Sequence, residues 1–399
     1  MNRDDFTMLR DSSIVYFDNG ATTLKPDCVR DAINDYYDKW TANIHRGDYS
    51  SSLKVSELYE ECREKIKNYI NAKHSSEIVF TSGTTDSLND IVFGYFKYKL
   101  KKGDEVIISE AEHASNVLPW FVLAQELGII VKYVGLNELN EVTVENLQKV
   151  ITENTKVVSL AHVTNVIGDI RDLRAISKLC HENNVLLVVD AAQSIAHVSV
   201  DVQDMDIDFM AFSSHKMYGP TGIGVLYGKF HLLQELRPRN YGGDMNAVFT
   251  RDGYMELKDL PSRLEAGTPN IEGVMGLSAC IDYINNIGID NINKYEHELR
   301  DYLIDRLKEL DFISIYNKDN YSTTVAFNID GVFSQDTAIY LDKYNICVRA
   351  GTHCSKILKD VFNIANTCRI SLSFYNTRYE VDLLINVLKN SKNIWEEIL

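Results

Sequence analysis

Short apolar runs and longer amphipathic segments alternate along the first part of the chain. The runs are typical of buried strands, and the segments between them have the spacing of a helix with one buried face. Strands that alternate with helices indicate βαβ units and a mostly parallel sheet covered on both faces. Strands are predicted over residues 78–81, 106–108, 129–134, 157–161, 186–189, 209–212 and 225–227. Helices are predicted over residues 29–40, 53–70, 118–127 and 170–183, with another that ends near residue 100.

The pattern changes near residues 265–270. Beyond this point come two long helical segments, two separate strands and a last helix, over residues 271–288, 289–310, 323–329, 346–349 and about 379–399. We therefore predict an α/β fold with a second, smaller α+β domain. The predicted parts are an N-terminal arm that packs on the small domain, a large α/β domain and the small domain, over residues 1–15, 16–268 and 269–399.

Composition and charge narrow the class of protein. A hydrophobic fraction of 45% with 25% charged residues is ordinary for a globular protein, and 399 residues can bury a large core. The net charge of −16 argues against a nucleic-acid partner, which needs a basic face. Residues 1–5 lack the basic-then-apolar order of a signal peptide, and no apolar run approaches the roughly 20 residues of a membrane span. We therefore expect a cytoplasmic protein without a membrane contact.

The seven cysteines are scattered and form no Cys-x-x-Cys pair, which argues against a disulfide framework or a structural zinc site. The histidines also lie singly, so we expect no metal site. Most of the thiols should be buried and inert. Cys354 differs because it follows the polar residues 349–353, beyond the end of an apolar strand, and such loops are exposed and often functional.

Polar residues follow several of the predicted strands. In open parallel sheets, ligands bind beyond the carboxyl ends of the strands, so these residues should converge on one edge of the sheet. They are Gly83, Thr84, Thr85, His113, Asn165, Asp190, Gln193 and Lys216. This convergence is more specific than any one of the residues alone.

Lys216 lies between two apolar strands, and a desolvated amine loses its proton readily and can form a Schiff base with an aldehyde. The alternative is a surface lysine at a turn. The Gly83–Thr85 segment opens a helix and suits a phosphate, unless Thr84 is only a helix cap. Asp190 ends an apolar strand and needs a partner, such as a pyridinium N–H or a metal. His113 could stack on a flat ring or only satisfy its loop.

A phosphate cradle, a carboxylate for a ring nitrogen and a Schiff-base lysine together describe a site for pyridoxal phosphate. Residues 213–224 resemble the lysine segment of class V aminotransferase-fold enzymes. Within that family the sequence is most similar to the group II (SUF-type) cysteine desulfurases. Further similarity covers residues 18–23, 43–47, 112–113, 190–193, 263–270, 348–354 and 368–371, in the expected order along nearly the whole chain.

The resemblance implies the fold-type-I architecture of pyridoxal-phosphate enzymes and a role for each matching residue. Lys216 would hold the cofactor and move the Cα proton, Asp190 would pair with the ring nitrogen, and His113 would stack on the ring. Gln193 would reach the phenolic oxygen. The phosphate would be held by Thr84, Thr85, Ser213 and His215, and by Thr268 from the partner subunit of a homodimer.

The resemblance also implies the substrate side of the site. Arg369 would grip the substrate carboxylate, assisted by Asn165, with His45 and Arg349 nearby. Cys354 would accept the sulfur. The expected reaction converts L-cysteine to L-alanine and leaves an enzyme persulfide, which supplies a sulfur-acceptor or scaffold protein for iron–sulfur cluster assembly or another pathway.

Two other functions remain open on the sequence. One is a selenocysteine lyase, acting on L-selenocysteine, or another lyase or epimerase on the same scaffold. The other is a protein without catalytic activity that binds a phosphate-containing ligand or acts as a scaffold. The presence of both Lys216 and Arg369 argues against this second function.

The chain departs from the family pattern at several positions, some of which lie next to Cys354. Thr352 replaces the first of two usual histidines, and Ser355-Lys356 replaces the usual Ala-Met. Gly20 stands where alanine is common and Ser82 where arginine is common. A basic or dipolar neighbour lowers the pKa of a cysteine, and His353 and Lys356 are the candidates for that effect on Cys354.

Overall fold

The computed structural model describes residues 3–45, 47–391 and 394. Arg46, in the segment 43–47, lies outside the described residues. Strands β1 to β15 are Val15–Tyr16, Ile78–Thr81, Glu105–Ser109, Ile130–Val134, Thr155–Ala161, Leu186–Asp190, Phe209–Ser213, Gly224–Gly228, Asn246–Phe249, Met255–Leu257, Ile313–Ile315, Thr324–Ile329, Ile346–Cys347, Arg349–Gly351 and Thr367–Ser371. Helices α1 to α13 are Thr7–Arg10, Asp27–Asp35, Ser50–Tyr69, Thr84–Asp90, Leu118–Leu127, Val144–Val150, Leu173–Glu182, Phe230–Glu235, Ile271–Ile287, Ile289–Lys308, Ser334–Asp342, Leu358–Phe362 and Arg378–Lys389.

A seven-stranded sheet in the order β2-β8-β7-β6-β5-β3-β4 forms the centre of the molecule. Strand β8 runs antiparallel to β2 and β7, and the remaining pairs are parallel. The predicted mostly parallel sheet is therefore confirmed. Every residue of β3 and of β7 is buried, as expected for strands covered on both faces.

Helices pack on both faces of this sheet, and the alternation of side chains along a strand decides which core each residue joins. Ile107 of β3 points into the core that contains α2, α3, α7 and α9. Its neighbours Val106 and Ile108 point into the other core, with α4, α5 and α8. The two cores hold the carboxyl ends of the strands at one fixed edge.

A four-stranded antiparallel sheet in the order β11-β12-β15-β14 forms a second layer with α10, α11 and α13. Helix α10 joins the two layers, because Ile292 lies in the first core and Leu299 in the second. The division at residue 268 stays a prediction, and the packing of α9 places that helix with the seven-stranded sheet.

The N-terminal residues pack on both parts of the chain. Phe6 is fully buried and its ring contacts Tyr283 of α9, Phe374 and Tyr375. Strand β1 then pairs in parallel with β13. This pairing leads the chain toward Asp18, at the edge of the cavity described below.

Several elements differ from the predictions. Helices α6, α8, α11 and α12, the β9–β10 hairpin, β11 and β15 were not predicted. Helices α2 and α4 continue as π-helical segments over Tyr36–Trp40 and Ile91–Tyr95. The last helix ends at Lys389, and most of its predicted continuation to residue 399 lies outside the described residues. In the part of the chain that the structure describes, we find no helix with the length and apolarity to cross a bilayer.

Candidate active site

A cavity of about 250 Å³ lies between the carboxyl edge of the large sheet and strands β14 and β15. Most of the residues predicted for the site line it together, although they come from distant parts of the chain. They are Thr84, Thr85, His113, Asn165, Asp190, Gln193, Ser213, His215, Lys216, Arg349, Cys354 and Arg369. The convergence expected from the strand ends is therefore present in the structure.

Asp190 and Lys216 form the inner wall of the cavity. Asp190 is the last residue of β6, and Lys216 ends the 3-10 turn that follows β7. Burial lowers the pKa of the Lys216 amine to about 8 and raises the pKa of the Asp190 carboxyl to about 6. The alternative of a surface lysine is therefore wrong. At neutral pH a carboxylate faces an amine that gives up its proton more readily than an ordinary lysine does.

Hydroxyl groups line the cavity where α4 begins. The backbone N–H of Thr84 donates to Ser213 Oγ at 2.7 Å, and the two hydroxyls lie 2.7 Å apart. Thr85 Oγ1 lies 2.7 Å from Ser115 Oγ. Thr84 is the first residue of α4 and Gly83 is its cap, so the alternative of Thr84 as a simple helix cap is wrong. Burial and the nearby Lys216 lower the pKa of His215 to about 4, which keeps its imidazole neutral.

His113 begins a short turn after β3 and lines the cavity while it also satisfies its own loop. Its Nδ1 accepts a hydrogen bond from the Ser115 N–H at 3.1 Å. Burial, with Lys216 and Arg369 close by, lowers the pKa of His113 to about 4. The ring is therefore neutral, which suits stacking on a flat heterocycle.

A fully buried ion-pair network supports the loop that carries His113, and no role was predicted for the network. Glu112 accepts hydrogen bonds from Arg171 Nη1 at 2.5 Å and from the backbone N–H of Ala161 at 2.8 Å. Arg171 also pairs with Asp169 at 3.1 Å. These bonds tie the loop that carries His113 to the end of β5, and they pair each buried charge. Glu112 lies in one of the segments that match the family. The sequence offers no comparable indication for Arg171, because this residue follows no predicted strand.

Arg369 lies on β15, is almost fully buried, and reaches the cavity from the second layer. Its Nη2 donates to Asp18 Oδ1 at 3.1 Å and its Nη1 to the backbone carbonyl of Asn165 at 3.0 Å. Its Nε has no partner among the described residues. Arg349, half-exposed on β14, contacts the other Asp18 oxygen at 3.4 Å. Asp18, for which no role was predicted, joins the two arginines.

The departure at Gly20 has a structural reason. A Cβ at this position would lie 3.1 Å from Arg369 Cζ and 3.3 Å from Ser371 Cβ, which is tighter than most Cβ contacts. The Gly20 N–H donates to Ser371 Oγ at 2.7 Å, and its carbonyl accepts from Gln193 Nε2 at 2.8 Å. Glycine therefore lets the backbone approach the guanidinium closely.

Cys354 lies on the loop between β14 and α12, and its thiol is exposed at the rim of the cavity. Its neighbours His353 and Ser355 point inward and are buried. Burial lowers the pKa of His353 to about 3, so its imidazole is neutral. A neutral imidazole gives the thiol no positive charge, so the basic effect expected of His353 is absent, and its dipolar effect stays a prediction. Lys356 lies in the same loop and is exposed.

Three predicted residues, Gly83, Thr268 and His45, do not line this cavity, and Gly83 lies beside it as the cap of α4. Thr268 is exposed, and His45 lies in a separate pocket beside Glu60 and Gly267. His45 Nε2 is 3.4 Å from Glu60. The roles predicted for Thr268 and His45 stay predictions.

The sequence and the fold both match known proteins. Residues 15–384 match the family model "Aminotransferase class-V". A probable cysteine desulfurase of Halalkalibacterium halodurans is 40% identical over 97% of this chain and 95% of its own length. The crystal structure of the Escherichia coli cysteine desulfurase CsdA superposes with a TM-score of 0.92, at 36% identity over 100% of this chain and 98% of that one.

A more distant structure, the enzyme C-DES with glycine covalently linked to its pyridoxal-phosphate cofactor, has a TM-score of 0.84 at 20% identity, covering 97% of this chain and 99% of its own. That likeness shows the fold. The predicted family and its α/β fold are thus confirmed. The chain belongs to the class-V aminotransferase family and, within it, to the cysteine desulfurases.

Proposed function

We propose that this protein is a pyridoxal-phosphate-dependent cysteine desulfurase of the SUF-type group, which converts L-cysteine to L-alanine and takes the sulfur onto Cys354. The observation that carries the proposal is that one cavity is lined by a partly buried lysine of lowered pKa, a buried carboxylate and an exposed thiol. A lysine of this kind occurs in many enzymes, and exposed thiols occur on many loops, so neither residue alone indicates the function. Their presence in one cavity fits sulfur transfer.

The residues of the cavity fit pyridoxal phosphate. Asp190 is a buried carboxylate whose one described hydrogen bond comes from the N–H of Ala192 at 2.9 Å, so it can accept a further one from a ring nitrogen. Lys216 Nζ has no hydrogen-bond partner among the described residues and is free to bond to an aldehyde carbon. Thr84, Thr85, Ser213 and His215 would hold the phosphate. When bound, the cofactor supplies an electron sink that makes the Cα proton of an amino acid acidic.

Lys216 has two tasks in this proposal, to carry the cofactor and to move the Cα proton. Both need a neutral amine, and the lowered pKa makes that form accessible near neutral pH. Asp190, ionised above about pH 6, would keep the ring nitrogen protonated. His113 would cover one face of the ring and exclude water from it.

Arg369 would bind the substrate carboxylate. It lines the cavity with a guanidinium that is almost fully buried, and a cation in that position can pair with a ligand carboxylate through charge-assisted hydrogen bonds. Asp18 occupies Nη2 in this structure, so the substrate carboxylate and Asp18 would share the guanidinium. Arg349 adds a second positive charge at the same wall.

Cys354 would attack the substrate sulfur as a thiolate. An S–S bond forms while the Cβ–S bond of cysteine breaks, and the electron pair of that bond stays with the carbon and takes up a proton. The products are alanine and a persulfide on Cys354. A thiol reductant or an acceptor protein then removes the outer sulfur. The exposed position of the thiol gives such a partner access.

The finer assignments belong to the same proposal. Thr268 is exposed and outside the cavity of its own chain, which fits a role in the site of a partner subunit in a homodimer. Supply of sulfur for iron–sulfur cluster assembly, the identity of the acceptor protein and a cytoplasmic location stay predictions.

The test is a measurement of alanine formed from L-cysteine by the purified protein, with and without a thiol reductant, and with L-selenocysteine in parallel. Without an added reductant we expect slow alanine formation, because L-cysteine is then the only free thiol that can remove the persulfide sulfur, and with the reductant we expect faster, sustained turnover. Turnover of selenocysteine alone would assign the lyase activity instead. Alanine absent under every condition would contradict the proposal.

A further inference from the structure

The side-chain amide of Asn165 is bonded to the loop that carries Cys354. Its Nδ2 donates to the carbonyl of His353 at 2.7 Å, and its Oδ1 accepts from the hydroxyl of Ser355 at 2.9 Å. Asn165 and Ser355 are 5% and 2% exposed, so water does not compete for these bonds. An amide offers two N–H donors and one oxygen, so the loop uses the oxygen and one donor.

These two bonds flank Cys354 and hold a backbone conformation that needs support. His353 and Cys354 have φ of 51° and 59°, in the left-handed region that non-glycine residues rarely adopt. The carbonyl of Cys354 also accepts a hydrogen bond from the Ala114 N–H at 2.8 Å. With its backbone fixed on both sides, the thiol faces outward at the cavity rim.

The same asparagine also contacts the substrate side of the cavity. Its backbone carbonyl accepts a hydrogen bond from Arg369 Nη1 at 3.0 Å. The side chain and the main chain of Asn165 thus serve different partners. The family resemblance leads to the expectation of alanine at position 355, so the hydroxyl that engages Asn165 is a departure of this chain.

We propose that Ser355 is a positioning residue which, through the Asn165 amide, holds Cys354 in place to receive sulfur. In this chain the amide oxygen and one amide N–H of Asn165 serve the cysteine loop, and the second N–H is left for the predicted assistance to Arg369. The inference rests on the proposed desulfurase function and adds to it a residue with no role in substrate or cofactor binding.

The test compares Ser355→Ala, Asn165→Ala and the double variant in the enzyme loaded with pyridoxal phosphate. For Ser355→Ala we expect persulfide formation in a single turnover to slow by about tenfold or more, since small misplacement of a reacting group is costly. The KM for cysteine should stay within about twofold of wild type, because Arg369 keeps its bonds. Adding Ser355→Ala to Asn165→Ala should have no further effect on the rate.

The matched control is Ser334→Ala. Ser334 is equally buried and bonds to Asn366 at 2.8 Å, away from the cavity, so its loss should leave persulfide formation unchanged. An unchanged single-turnover rate in Ser355→Ala, an effect confined to KM, or additive losses in the double variant would overturn the proposal.

Alkylation of the resting enzyme tests the positioning separately from the reaction. The rate of iodoacetamide labelling is followed for each cysteine-containing peptide. At Cys354 this rate should differ several-fold between Ser355→Ala and wild type. At the exposed Cys28, which serves as an internal reference, it should be the same in both proteins. Equal labelling of Cys354 in both proteins would contradict the positioning role. If Cys354 forms no persulfide even in wild type, the desulfurase proposal fails, while this labelling still reports on the loop.

Discussion

The inner wall and the rim of the cavity are built in opposite ways. Asp190 ends β6 and Lys216 follows β7, two adjacent parallel strands whose register is fixed by the sheet, and burial shifts the pKa values of both residues. Cys354 lies on an irregular loop, exposed, and held by a few hydrogen bonds. Groups that need a shifted pKa therefore lie in the rigid interior of the protein. A group that must pass sulfur to a partner belongs where solvent can reach it.

Removal of the buried amine should have the largest effect. We expect Lys216→Ala to lower turnover by roughly 10²–10⁴-fold, the contribution of a positioned general base. The measurement is alanine release, together with borohydride reduction and peptide mapping, which should label Lys216 in wild type.

The control for that variant is Lys229→Ala. Lys229 pairs with Asp206 and Asp208 at 2.6 and 2.7 Å outside the cavity, so its loss should affect stability and leave the label in place. A label on Lys229 or Lys258 in wild type would mean that the inner wall is misassigned.

A smaller effect is expected at the wall formed by the second layer. Arg369→Lys should weaken cysteine binding by about 1.5–3 kcal/mol, because a point charge cannot reproduce the geometry of a guanidinium. The measurement is the KM for cysteine, with the cofactor absorbance spectrum as a check on the inner wall.

Arg349→Lys is the matched control. Arg349 is half-exposed and makes one 3.4 Å contact with Asp18, so the KM should change less than in Arg369→Lys. Equal KM values in wild type and Arg369→Lys would show that this arginine does not bind the substrate.

The mildest test uses pH alone. The pKa of Lys216 is lowered to about 8, so the neutral amine that captures the cofactor increases as pH rises toward 8 and levels off above it. Binding of pyridoxal phosphate to the cofactor-free protein should accelerate by roughly tenfold for each pH unit below about 8 and then reach a plateau. Visible absorbance follows the reaction, with N-acetyl-lysine as the control. If the rate of cofactor binding keeps rising above pH 8, as the rate for N-acetyl-lysine does, the Lys216 amine is not desolvated.

The inner wall could be predicted from the sequence because it depends on local pattern. Lys216 and Asp190 follow apolar strands, and the parallel sheet brings such ends together. Strand β15 was missed because a buried arginine interrupts its apolar residues, and its partner β12 lies some 40 positions earlier in the chain. The partners of Arg369 and of the Asn165 amide depend on contacts between the two layers, which no local pattern contains.

Our main proposal is that the substrate sulfur leaves the active site as a persulfide on Cys354, whose thiol lies at the rim of the cavity. Its most direct test is intact-protein and peptide mass spectrometry after one turnover of L-cysteine, on wild type, Cys354→Ser and, as the matched control, Cys347→Ser, which changes a half-buried thiol in β13. We expect a single added sulfur on Cys354 in wild type and in Cys347→Ser. We expect none in Cys354→Ser, which should keep the cofactor absorbance and lose nearly all sulfide release. Persulfide on Cys347 or Cys368, or full activity in Cys354→Ser, would contradict the proposal.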